Sequence, residues 1–166
     1  MPNFVEEMVA RLQGGQVEFL IVGGVSAVLQ GAAIATMDLG LCYRRTPENI
    51  GRLVRALAPL QPRPRGFPPE MPLVFDERTI GFAGNFTLDI GAESLDLLGE
   101  ISGIGGYESV VDKSVGVTLG GRVVKVLSQA QLIATKEAAG RTKDLAALPE
   151  LRATLSRRRE HEKPGP

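Results

Sequence analysis

The sequence predicts an α/β (α+β) protein built on a mixed β-sheet flanked by helices. Three observations carry this. A strand-forming run, 18–22, ends in Gly23-Gly24 and leads at once into a segment of small and apolar residues suited to a packed helix. Two further strand-forming runs, 114–119 and 122–127, flank Gly120-Gly121, a two-residue hairpin signal. Between them, segments of helical hydrophobic spacing alternate with strand-like runs, the pattern of a layered sheet-and-helix domain.

Taken in order, residues 3–13 form the first expected helix. Asn3 caps it, and Phe4, Val5, Met8, Val9 and Leu12 share one face. Strand 18–22 follows, then a helix over 25–30 closed by Gly31, then a second strand over 36–43. Thr46-Pro47-Glu48 is a helix start, with Thr as cap and Pro at the first helical position, and that helix buries Ile50, Leu53, Val54 and Leu57. Residues 59–72 contain six prolines and predict an extended surface connection, neither helix nor central strand. Short strands are expected at Val74-Phe75 and 86–88, and a better one at 94–98. Asp89 and Glu93 read as turn residues. Ser128-Gln129-Ala130-Gln131 is a capping box for a helix that Gly140 stops. A last helix is expected within 143–156, with Pro149 as a break or a fresh start. The expectation is a single domain over 1–156 and a frayed tail over 157–166.

Composition narrows the function classes. The chain has 166 residues, 43% hydrophobic and 23% charged, as in soluble globular proteins. No apolar run reaches the roughly twenty residues of a membrane helix. The first ten residues lack the layout of a secretory signal, so the expected location is cytoplasmic and no membrane partner is foreseen. The one cysteine, Cys42, and the one histidine, His161, disfavour disulfide frameworks, multi-cysteine zinc sites and histidine-based triads. Nineteen basic residues balance nineteen acidic ones. The balance is segregated: residues 43–66 hold six basic side chains and one acidic, while 67–112 hold one basic and nine acidic. Such segregation suits a site that holds a cation and a phosphate chain together, and equally suits solvated surface blocks.

Four segments could carry chemistry. At the strand-to-helix turn, Gly23 and Gly24 let a ligand approach the backbone near a helix N-terminus, and Ser26 offers a hydroxyl to a phosphate; the plain alternative is a tight, well-packed turn. Asp38 sits in a strand between apolar neighbours. Magnesium sites often pair two acids at i and i+2 of one strand, but the i+2 position here is Gly40. Asp96 is an acid between leucines in the 94–98 strand, and it converges with Asp38 on a metal if the two strands are neighbours. Lys136, Arg141 and Lys143 form a basic set suited to a triphosphate, with Asp144 orienting them. Lys136 near a helix C-terminus is also favoured by the dipole alone.

In this order the segments resemble the nucleotidyltransferase-fold family of the abortive-infection (AbiEii) toxin type. The matching stretches are Leu20-Ile21-Val22-Gly23-Gly24, Thr36-Met37-Asp38-Leu39, Thr46-Pro47-Glu48-Asn49-Ile50, Leu95-Asp96-Leu97-Leu98-Gly99 and the run from Lys136 through Arg141-Thr142-Lys143-Asp144-Leu145. They span roughly residues 18–150. The resemblance implies a twisted mixed sheet flanked by helices, binding of a nucleoside triphosphate with Mg²⁺ or Mn²⁺, and transfer of a nucleoside monophosphate to a hydroxyl acceptor. It implies that the glycine pair holds phosphates and that Asp38 and Asp96 hold metal and act in catalysis. It extends to a toxin–antitoxin pair, with an antitoxin protein as partner and tRNA as an acceptor. The sequence departs from the family at Gly40, where the second acid of Asp-x-Asp is missing, and at Ile34, where a basic residue is usual. Cys42, further along the same strand face, is too soft to replace a magnesium ligand. Three functions follow as expectations: an active nucleotidyltransferase, an impaired homologue that still binds nucleotide or partner, and a protein-interaction module.

Overall fold

The computed structural model describes residues 3–36 and 38–165. Met37, within the expected strand 36–43, lies outside the described residues, as do 1, 2 and 166.

Helix α1 (Phe4–Gly14) opens the chain, with Asn3 Oδ1 accepting from the Glu6 amide at 3.0 Å. Strand β1 (Phe19–Val22) runs directly into α2 (Gly23–Leu29), and β2 (Asp38–Tyr43) returns antiparallel to β1. Helix α3 (Pro47–Leu57) is capped by Thr46 as expected and continues into a 3-10 turn, Ala58–Leu60. Asn49 on α3 is fully buried yet satisfied. Its Oδ1 accepts from the Glu18 amide at 2.7 Å, and its Nδ2 donates to the carbonyls of Glu18 and Arg44. The side chain thus pins the helix to the ends of β1 and β2, since a buried amide left unpaired is costly.

The proline-rich connection is largely irregular, but Arg63–Pro64 forms an edge strand, β3, where a missing proline N–H is tolerated. Val74-Phe75 is not a strand; Phe75 instead packs its ring on the core. A helix the sequence reading lacked, α4 (Glu77–Phe82), follows, with Asp76 Oδ1 accepting from the Thr79 amide. Strand β4 (Asn85–Ile90) is longer than expected and contains Asp89, and β5 (Glu93–Leu98) begins at Glu93, so neither acid lies in the turn between them. A small pair, β6 (Glu100–Ile101) and β7 (Gly105–Gly106), leads to a short helix, α5 (Tyr107–Val111). The hairpin β8 (Ser114–Leu119) and β9 (Arg122–Leu127) turns at Gly120-Gly121, both at positive φ.

Helix α6 (Gln129–Ala139) starts at the Ser128 cap and ends at Gly140, which is left-handed at φ 64°. Helix α7 (Thr142–Glu162) is one 21-residue helix. It runs through Pro149, contrary to the expected break, and continues over 157–162. Pro149 removes one N–H bond from the helix. Buried Leu148, Leu151 and Thr154 on either side hold the turn in place.

The seven-stranded sheet has the order β3-β4-β5-β2-β1-β9-β8. The β2–β5 and β1–β9 pairs are parallel and the rest antiparallel. Strand alternation sorts side chains to two faces. Phe19, Ile21, Leu39, Leu41, Tyr43, Leu88, Leu95 and Leu97 face one core with Met8, Leu12, Leu53 and Leu57 of α1 and α3. Leu20, Val22, Cys42 and Leu127 face a second core with α6 and α7. That second cover stops short of the β4–β5 end, which carries polar residues instead.

Candidate functional site

The register brings the acids of that polar end together. Asp38 pairs with Ser94, and Ser94 pairs with Asp89, so β2, β5 and β4 contribute one row on one face. The next row is Gly40, Asp96 and Thr87. Strands β2 and β5 are therefore neighbours, and Asp38 and Asp96 share a face as diagonal residues. Each is engaged by something else. Thr87 Oγ1 donates to Asp96 Oδ1 at 2.8 Å. The Arg65 guanidinium lies along the first row: Nε donates to Asp89 Oδ1 at 3.2 Å, Nη2 meets Ser94 Oγ, and Nη2 lies 3.8 Å from Asp38 Oδ1. Ser94 Oγ donates to Asp89 Oδ1 at 3.3 Å. The row is half open to solvent, with the Asp38 and Asp89 side chains 42% and 43% exposed.

Gly40 lies where a second strand acid would stand. A Cβ there would sit 3.2 Å from both Val22 Cγ2 and the Val22 carbonyl oxygen, so the space for a side chain is tight. Cys42 is fully buried, and that burial, with help from the charge of Glu108, pushes its thiol up to about 12, far from thiolate chemistry at neutral pH. Among the described residues no group of three His, Cys, Asp or Glu side chains is placed to hold a metal ion. A two-metal centre needs converging carboxylates, and the residues present do not fit one.

The glycine turn has a structural explanation for each glycine. Gly23 is left-handed at φ 68°, which favours glycine. Gly24 lies under Thr36, whose Oγ1 would be 2.6 Å from a Cβ. Ser26 does not face a ligand, in contrast to the expectation for a phosphate-binding hydroxyl. It is fully buried, its Oγ donates to the Leu127 carbonyl at 2.6 Å, and it accepts from Gln30 Nε2. Sequence spacing cannot say which side of a seven-residue helix turns inward, and β9 supplies an acceptor that no local signal reveals. A cleft of about 300 Å³ opens at the Asp38 end of β2, but Phe4, Val5, Val25, Leu29, Leu39 and Leu119 among its walls belong to the first sheet face, opposite the acids. A larger one, about 720 Å³, lies against α1, Leu60 and Ile90 and does not reach Asp38.

The basic set lies at the α6–α7 junction. Asp144 is buried and takes both partners: Lys136 Nζ at 3.4 Å and Arg141 Nε at 2.6 Å. The hydrogen bond from Arg141, reinforced by Lys136, holds the Asp144 carboxyl below its ordinary value against the opposing effect of burial. Lys143 is exposed, and Arg141 is largely so. Asp144 bonds both cations and offsets one of their two positive charges.

Arg65, Ser94, Thr87 and Asp89 escaped the sequence reading. For Asp89 a signal was present: Phe86-Thr87-Leu88-Asp89-Ile90 alternates apolar and polar, the mark of a half-buried strand. Arg65 sits among prolines with no local mark of its role.

No protein-family model matches the chain, and no curated protein matches it. Solved structures do resemble it. The crystal structure of ANT(2'')-Ia in complex with adenylyl-2''-tobramycin aligns with a TM-score of 0.60 at 17% identity, covering 91% of this chain and 87% of that one. The solution structure of the antibiotic-resistance factor ANT(2'')-Ia gives 0.59 at 17%, covering 91% and 82%. A candidate nucleotidyltransferase from Thermotoga maritima gives 0.57 at 16%, covering 96% and 91%. Among the described residues no helix is long and apolar enough to cross a membrane. The mixed sheet, its helical cover and these neighbours agree: the chain has the nucleotidyltransferase fold.

Proposed function

We propose that the chain binds a nucleoside triphosphate on the open half of its second sheet face but lacks efficient two-metal nucleotidyl transfer. One observation carries the reading: Asp96 faces Gly40 across the β2–β5 pair, while Asp38 shares the Arg65 guanidinium with Asp89. The site thus keeps the position of the fold's acids without the converging set that two Mg²⁺ or Mn²⁺ ions would need. Binding is supported by the exposed Arg141 and Lys143 at the junction of α6 and α7, the helices that cover the same sheet face.

Calorimetry with ATP, CTP, GTP and UTP, each with and without Mg²⁺, tests this, together with a radiolabel-transfer assay. The expected result is binding without transfer. No binding of any triphosphate at about millimolar ligand, against typical affinities far tighter, overturns the reading, and so does Mg²⁺-dependent transfer that Asp38→Asn abolishes. The second reading is an active enzyme using Asp38 and Asp96 at a single metal, with tRNA as acceptor and an antitoxin as partner. The shared face of those two residues favours it, and the transfer assay separates the two.

A further inference from the structure

Arg65 deserves a role of its own because of how it reaches the acids. Its backbone is fixed beside β4, where its amide donates to the Thr87 carbonyl at 2.9 Å. The segment behind it is clamped by Arg63, whose Nη2 donates to the carbonyls of Pro68 at 2.9 Å and Met71 at 3.1 Å. From this held position the Arg65 side chain spans β4, β5 and β2 to meet Asp89, Ser94 and Asp38 in turn. Without a counter-charge, two carboxylates in one row of a sheet face would repel one another. A guanidinium relieves that with a planar fork of donors, while a hard divalent ion would need more oxygens than the Gly40 row provides.

We propose that Arg65 is the resident cation of this site, filling the electrostatic place of a divalent metal between Asp38 and Asp89. Arg65 then offsets one of the row's two negative charges from within the chain, and added Mg²⁺ or Mn²⁺ finds its ligands already taken. The inference rests on the same sheet face as the proposed function but not on nucleotide binding, and its test contains no nucleotide.

The test is Mn²⁺ binding to the full chain, followed by electron paramagnetic resonance, with thermal melting in parallel. Wild type is expected to bind Mn²⁺ weakly and to melt at the same temperature with or without it. Arg65→Gln is expected to bind Mn²⁺ at least about tenfold more tightly, because removing the guanidinium exposes hard oxygen ligands. It should also melt at a temperature that Mn²⁺ raises. Adding Asp38→Asn to Arg65→Gln should remove that gain. Equal Mn²⁺ affinity in wild type and Arg65→Gln overturns the proposal. Should Arg65→Gln fail to fold, the wild-type titration decides alone: binding tighter than about 0.1 mM that Asp38→Asn abolishes means that a metal outcompetes the guanidinium and the proposal falls, and weaker binding upholds it.

Discussion

Two charge clusters in this molecule are mirror images in composition. At the α6–α7 junction one carboxylate, Asp144, serves two cations, Lys136 and Arg141. On the sheet face one cation, Arg65, serves two carboxylates, Asp38 and Asp89. Their surroundings differ as much as their stoichiometry. The Asp144 side chain is 7% exposed and Lys136 is 19% exposed, whereas the Arg65 side chain is 49% exposed. At the α6–α7 junction a buried carboxylate with a mostly buried lysine partner ties two helices together. An open cluster of exposed pairs contributes little to stability and leaves one negative charge without a partner of its own.

The sharpest way to break this comparison is Asp144→Asn. It leaves Lys136 without its charged partner in a mostly buried place, and it is expected to cost about 2 kcal/mol in urea unfolding. The pH dependence should follow. The folded carboxyl of Asp144 titrates below its unfolded value, so its stabilisation is fully present above about pH 4 and fades as the pH falls through the folded value. The gap between wild type and Asp144→Asn should therefore shrink at about pH 2.5, and a gap unchanged from neutral pH would show that packing rather than charge is responsible.

A smaller effect is expected at Gly40. Gly40→Ala must push a methyl against Val22, at a cost of about 1 kcal/mol by urea unfolding. A neutral or stabilising result would show that Val22 yields freely and that the row had room for a second acid. The smallest effect belongs to Arg65→Gln, at most about 0.5 kcal/mol, because exposed ion pairs are worth little. A loss as large as that of Asp144→Asn would make the sheet-face cluster a structural tie and erase the distinction between the two.

The elements written in local chemistry were legible in the sequence. The Asn3, Thr46 and Ser128 caps, the Gly23 turn and the Gly120-Gly121 hairpin each depend on neighbours within a few residues. So did the position of Asp38 and Asp96 on strands. What local chemistry does not encode is register across the sheet. The pairing of Gly40 with Asp96, the burial of Ser26 against β9 and the reach of Arg65 over three strands all join segments far apart in the chain. Pro149 misled for a related reason: its local cost is real, but the burial of Leu148 and Leu151 outweighs it.

The parallel pairing of β1 with β9, through Ile21 and Val126, has a kinetic consequence. The first strand waits for a partner more than a hundred residues downstream, while β2 joins its other edge by a short local return. During synthesis, the β1 edge of Phe19–Val22 is thus open until the hairpin has emerged, and it consists wholly of strand-forming apolar residues. Closing so distant a contact is slow, and an uncovered apolar edge attracts other chains in the meantime. The hairpin closes that edge, and a nascent chain halted before it would leave Phe19–Val22 open to pairing with other chains.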